Sequence, residues 1–367
     1  MLIYINSPIA QTIIFAIIFF LAFFLLCRKR KDLSFFPVAI TSELKGLAIL
    51  MIIFGHIGYF LAADHRFLHP LSVAMGVGVD LFLFLSGFGL AVSALKKKLP
   101  IGQFYWRRFS RLYLPLWISM LIFVLLDIFI LQRQYDLDTI VQIALGWVKQ
   151  ADLYNNFNSP LWFLTLIIFY YLLFPWVFWR KIPEISAIIL YLIGLVILRF
   201  SPEVIKDVKR LYELHYLAFP LGIMFASLIH RLPEMQTAMK NWLENHEYTA
   251  IVGRLIILVS LFYGALYFSL HSGVGADQYI AHTLSLLTVG LYLTAFLIKK
   301  TEWKLFTLFG IYSYEVYLLH WPLAYRYDFL FRFLPAGLAA ALYLILLLGL
   351  AYLLHKLTEK ISTYLGF

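Results

Sequence analysis

The sequence predicts an all-α fold: a polytopic transmembrane helix bundle of about eleven spans. Three observations predict it. First, 62% of the 367 residues are hydrophobic and the mean hydropathy is +0.84, where soluble domains are roughly 45–50% apolar. Second, only 14% of residues are charged. Third, apolar runs of about twenty residues, the length that crosses a bilayer, follow one another, separated by short segments rich in Lys and Arg.

The runs lie near 9–27, 44–62, 73–95, 112–131, 160–179, 185–200, 211–230, 253–270, 279–298, 306–324 and 335–355. The sixth is short and the seventh begins in polar sequence. The first lacks a basic leader and a small-residue cleavage site, so it reads as a retained helix. The longest polar gap, Arg231 to Gly253, is too short for a soluble domain. Thr139 to Val148 is amphipathic and reads as interfacial. A single cysteine, Cys27, excludes an intrachain disulfide and a Cys-rich metal site, and no metal is expected.

The net charge of +10 reads as topology rather than nucleic-acid binding, because the basic residues sit between spans. With the N-terminus outside and the C-terminus cytoplasmic, 21 of the 30 Lys and Arg face inward. They include Arg28 to Lys31, Lys96 to Lys98, Arg180, Lys181, Lys299 and Lys300. The outward minority includes Lys206, Lys209 and Arg210.

Topology then assigns depth. In the second span Lys45 stands at the cytoplasmic mouth, and His56 lies eleven residues on, roughly 16 Å up the helix. Asp80, on the returning third span, reaches a similar depth. A charge near the bilayer centre costs about 3 kcal/mol on insertion scales, so such residues turn inward and find partners. A carboxylate beside an imidazole fixes its tautomer and raises its basicity, so His56 and Asp80 are candidate catalytic residues, with Asp80 orienting His56 as a general base. The alternative is a neutral His56 that merely hydrogen-bonds a neighbouring helix. His215, Glu213, His282 and His320 gather in the outer half, with Glu315 near mid-span. Singly these are ordinary helix-packing residues; together they outline a polar cavity opening outward, with substrate-binding candidates.

A second cluster follows the third span, in "KKKLPIGQFYWRRFSRLYLP". Lys96 to Lys98 read as topology anchors. Arg108 and Arg111 are three apart and share a helix face, with Tyr105, Trp106 and Tyr113 at headgroup level. Arginine forks suit phosphate oxygens, of a pyrophosphate ligand or of an anionic lipid.

Several ordered stretches resemble one family. "SELKGLAILMIIFGH", "GVGVDLFLFLSGFGL", "FYWRRFSRLYLPLW" and "IYSYEVYLLHWPL", with "NSPLWFLTLIIFYYLLFPW" as a weaker element, are similar in order and spacing to the acyltransferase 3 membrane proteins over roughly residues 33–356. The resemblance implies a ten-span core (32–367) preceded by an additional N-terminal helix and basic anchor (1–31), in the stand-alone form. It implies transfer of an acyl group, most often acetyl from acetyl-CoA, to a hydroxyl of a surface polysaccharide, lipid-linked sugar or other glycan, in a bacterial cytoplasmic membrane. It implies that His56 is the essential histidine and that Arg108 and Arg111 serve the CoA side; Lys45 and Arg107 join them in the expected donor-phosphate site, and Trp162 joins the substrate-binding candidates. Three departures stand out. Lys45 replaces the usual arginine and loses its bidentate fork, Glu315 replaces a small or apolar residue, and the fifth span lacks a glutamate after its tryptophan.

The expected mechanism brings the donor thioester up the bundle to His56, which takes the acceptor proton or carries the acyl group itself, with Ser86 a possible oxyanion donor. The competing class is export, in which His56, Asp80 and Glu315 form a proton path.

Overall fold

The computed structural model describes residues 2–97, 100–154, 157–200, 202, 205, 207–244, 247–272 and 278–364; Lys98 and Lys206 lie outside them. Among the described residues the chain is a bundle of helices with one two-stranded sheet. In order these are α1 (Pro8–Leu25), β1 (Cys27–Lys29), α2 (Val38–Gly55), α3 (Met75–Lys96), α4 (Ile101–Phe129), α5 (Leu137–Leu145), α6 (Trp162–Val177) and α7 (Pro183–Phe200). There follow α8 (Lys209–His215), α9 (Ala218–Arg231), α10 (Pro233–Glu244), α11 (Tyr248–His271), α12 (Gln278–Ile298), β2 (Thr301–Trp303), α13 (Lys304–Ile311), α14 (Ser313–Tyr325), α15 (Leu330–Phe333) and α16 (Ala336–Tyr364).

Ten continuous helical stretches among the described residues are long and apolar enough to cross a membrane, so the chain is an integral membrane protein. The run expected as a span at 306–324 is instead two helices, α13 and α14, meeting at Tyr312. Close packing accompanies the break. A Cβ at Gly310 would sit 1.7 Å from the Ser42 carbonyl oxygen, and one at Gly46 would sit 1.8 Å from that of Phe306. The backbones of α2 and α13 touch through this glycine pair, the small-residue contact on which membrane helices rely when water supplies no driving force between them. A second reciprocal pair, Gly87 against the Phe219 carbonyl and Gly222 against that of Phe84, locks α3 to α9. The interfacial reading of Thr139 to Val148 corresponds to α5, which begins with the Asp136 carboxylate accepting the Thr139 N–H at 2.8 Å.

Burial separates centre from rim. Of the apolar stretch carrying α2, 78% is buried, against 11% for α1 and for α11. Even so, α1 is tied to the bundle. Its Gln11 side chain accepts the Gly337 N–H of α16 at 2.9 Å, and Phe15 packs edge-on against Phe54 of α2. Just beyond α1, β1 pairs antiparallel with β2. The Arg30 guanidinium, expected only as a topology anchor, is buried and donates to the carbonyls of Leu297 and Ser34 at 3.1 and 2.8 Å. Next to it Lys299 forms a buried ion pair with Glu43.

At the end of the bundle far from these basic residues, Arg326 pairs with Asp127 of α4, whose carboxylate also accepts from Tyr327 at 2.6 Å and from Tyr135. Burial and the Asp127 carboxylate push the Tyr135 hydroxyl up to about 12, so it stays a donor to that carboxylate at any physiological pH.

Candidate active site

Between Lys45, Arg108 and Arg111 at the basic end and the middle of the bundle lies a cavity of about 370 Å³. Its walls come from α2, α3, α4, α6 and α14, and its inner end is formed by Ile52 and Tyr317. Both residues matter for what lies one turn further on. The His56 Nδ1–H donates to the Ile52 carbonyl at 2.9 Å, and the His320 Nδ1–H donates to the Tyr317 carbonyl at 2.7 Å. The two rings stand 4.9 Å apart at 63°, with Trp321 5.3 Å from His56. A carbonyl can only accept, so each neutral imidazole carries its proton on Nδ1 and its lone pair on Nε2. Neither Nε2 has a hydrogen bond to a described residue, and that of His320 is fully buried. From His56 onward, through Leu61, the helix widens into a π-helical turn, a distortion frequent at functional sites.

The expected pairing of Asp80 with His56 is not formed. Asp80, wholly buried, accepts from His215 Nδ1 of α8 at 2.8 Å and from Ser285 Oγ of α12. Depth and rotation both separate them: Met75 lies against Gly55, next to His56, and Asp80 is five residues further along α3, roughly 7.5 Å along the helix. A Cβ on Gly55 would meet Met75 of α3 and one on Gly78 would meet the Ala48 carbonyl, so that face of α2 packs on α3. His56, about 100° further round the helix, faces α14.

The remaining candidates divide accordingly. Trp162 stacks on the His215 ring at 5.7 Å. His282, one turn before Ser285, has a buried Nε2 without a partner among the described residues. These two belong with Asp80 and His215, whereas His320 belongs with His56. Glu315 accepts from His355 Nδ1 of α16 at 2.7 Å and does not line the cavity. Glu213 makes a 3.4 Å ion pair with Lys209 along α8. At the basic end Lys45, Arg108 and Arg111 come together, while Arg107 is exposed and outside the cavity lining. Ser86, considered as an oxyanion donor, bonds Tyr171 OH at 2.8 Å, and that tyrosine ring lies 6.0 Å from the Arg108 guanidinium. Ser86 therefore belongs to the arginine side of the cavity.

Several site residues went unnoticed in the sequence. Tyr171, Tyr314 and Tyr317 line the cavity and are lost among 24 tyrosines. Leu153, Tyr154 and Asn158 hold the helices that carry the two histidines. Tyr154 OH donates to the Phe60 carbonyl at 2.9 Å, Trp321 Nε1–H to that of Leu153 at 2.8 Å, and Asn158 Nδ2 to that of Leu318 at 3.0 Å. Asn158 opens the motif "NSPLW", which was the one available signal.

Comparison with known families accords with this arrangement. The family model described as an acyltransferase domain, Acyl_transf_3, matches residues 44–356. The chain belongs to the acyltransferase 3 family. No curated protein and no solved structure matches it. The family match opens at Leu44, beside Lys45, and closes at Lys356, so it takes in the whole cavity, both histidine sites and the broken helix, and leaves α1 outside. An acyltransferase needs a base for the acceptor and a route for the activated acyl donor. In this acyltransferase 3 protein the His56–His320 pair offers Nε2 lone pairs one turn beyond a cavity lined by three cationic side chains.

Proposed function

We propose that the protein is an O-acetyltransferase that takes acetyl from cytoplasmic acetyl-CoA and transfers it to a hydroxyl of a glycan or lipid-linked sugar on the other side of a bacterial cytoplasmic membrane. The observation that carries this reading is the cavity running from three cationic side chains to Ile52 and Tyr317, the residues whose carbonyls hold the two histidines. Eleven residues of helix separate Lys45 from His56, roughly 16 Å, a length suited to an extended thioester arm rather than a whole nucleotide.

The lining fits such a donor. It holds no Asp or Glu among the described residues, and Ser86, Tyr171 and Tyr314 offer hydroxyls along the way. At the inner end His56 Nε2 accepts the proton of the acceptor hydroxyl as its oxygen bonds to the acyl carbon. The carbon–sulfur bond breaks, and His56 returns the proton to the leaving thiolate. His320, 4.9 Å away and of the same tautomer, presents a second Nε2 lone pair beside it. Asp80 positions α3, α8 and α12 rather than His56.

The export reading requires a relay through His56, Asp80 and Glu315. Each has a different partner, namely Ile52, His215 with Ser285, and His355. The test is to supply acetyl-CoA to the protein in lipid nanodiscs with candidate glycans, following free CoA, and to compare surface glycans from cells with and without the protein by mass spectrometry. Loss of an acetyl-sized increment without the protein is expected. Unchanged glycans together with no CoA release in the presence of acceptor would overturn the proposal.

A further inference from the structure

A second, larger cavity of about 610 Å³ opens beside the first at the basic end, and the two share Leu90 and Arg108. It lies where the end of α3, the first turns of α4 and the end of α6 meet the turn before α7. Four cationic side chains line it, Lys97, Arg108, Arg180 and Lys181, and no acidic residue does among those described. Its other walls are mostly apolar and include five aromatic side chains, of which Trp176 and Trp179 are at least half exposed.

We propose that this cavity binds the adenosine bisphosphate end of the donor, with Arg108 at the junction where the thioester arm turns into the histidine-directed cavity. The inference rests on the acyl-CoA reading above and adds a site to it: Lys97, Arg180, Lys181 and the two tryptophans. Three features support a nucleotide phosphate ligand. The narrower cavity, at about 370 Å³, suits an arm, whereas the larger one adjoins it through a shared arginine. The positive charge is uncompensated: the nearby Glu184 is already engaged by Arg231 at 2.9 Å and by Ser227, and the Lys97 and Lys181 ammonium groups form no ion pair with a described residue. One Arg180 nitrogen donates to the Leu95 carbonyl, which holds the guanidinium in place with donors left for phosphate oxygens. An indole such as Trp179 offers a flat face for a purine.

Phosphate can also arrive as an anionic lipid headgroup, because basic residues and tryptophans at a helix end are the ordinary furniture of a membrane interface. Binding measurements on the full chain in nanodiscs separate the two. In phosphatidylcholine discs, calorimetry should detect CoA and adenosine 3′,5′-bisphosphate, and the Lys97→Gln/Lys181→Gln variant should weaken both by at least about tenfold, the effect of losing even one of the two charged contacts. Binding of 4′-phosphopantetheine, which lacks the nucleotide, should be unchanged in that variant. Trp179→Ala, which removes no charge, should weaken the bisphosphate and spare phosphopantetheine in the same way. If CoA and phosphopantetheine bind but the bisphosphate does not, or if the variants weaken all three ligands equally or none, the nucleotide site is overturned while the donor reading stands. If phosphatidylglycerol discs abolish bisphosphate binding and the variants relieve that block without altering affinity in phosphatidylcholine, the cavity is a lipid site. If CoA itself fails to bind the wild-type protein, the acyl-CoA reading falls, and this inference with it.

Discussion

The molecule holds two buried histidine sites of opposite construction. His215 donates to a buried carboxylate, Asp80, which Ser285 also engages. His56 and His320 have no carboxylate, and their Nδ1 protons are held by main-chain carbonyls of their own helices. An imidazole on a carboxylate is the arrangement usually associated with a base, yet here that pair fastens three helices, and the cavity leads to the other site. The comparison teaches that a tautomer can be set by a helix backbone alone. A carbonyl one turn back suffices to leave Nε2 as an acceptor, without a buried negative charge beside the ring.

Four substitutions test this division of labour. The largest expected effect is that of His56→Ala, which should lower turnover by about 10²–10⁴-fold, the range of a lost general base, while leaving the melting temperature near that of the wild type. Acetyl transfer at the normal rate by this variant would remove His56 from the mechanism. Asp80→Asn should act on stability instead. Weakening two hydrogen bonds to a buried carboxylate costs about 3 kcal/mol, at about 1.5 kcal/mol each, read as a fall in melting temperature in detergent, with turnover per folded molecule retained. A melting temperature unchanged alongside a collapse in turnover would reverse the roles of the two sites. Ser285→Ala should cost about 1.5 kcal/mol, the lower range for a hydrogen bond to a charged group, again without loss of turnover. The smallest effect should be that of Lys45→Arg, which restores a fork at the cavity mouth and is expected to shift the KM for acetyl-CoA by no more than a few-fold with kcat constant.

Much of the site was legible from local pattern. Lys45 and His56 stand eleven apart on one apolar run, and Arg108 and Arg111 share a face on the next basic segment; the structure brings three of these four to one cavity and places the fourth one turn beyond it. Arg107 was drawn in by adjacency alone, but it precedes Arg108 by about 100° of helix rotation and turns outward. The tyrosines and Asn158 were not legible, because an aromatic or amide in a membrane span has several ordinary uses and only its neighbours show which applies.

The comparison of the two histidine sites marks the boundary between the two sources of information. Hydrophobicity and the distribution of Lys and Arg are properties of short stretches, so the all-α class, the order of the spans, the presence of ionisable groups at mid-depth and the basic end could all be read along the chain. Depth is a translation along a helix, and counting residues gives it only roughly, because the register between two helices is set by their contacts. Which residue meets which also needs the rotation about each helix, and both depend on contacts between packed helices. Gly55 against Met75 sets a register that leaves Asp80 five residues along α3 from the level of His56, and Gly310 against Ser42 accompanies the break at Tyr312 that begins α14, the helix carrying His320. Those contacts arise only once the helices have packed, and they decide which buried histidines stand next beyond the cavity.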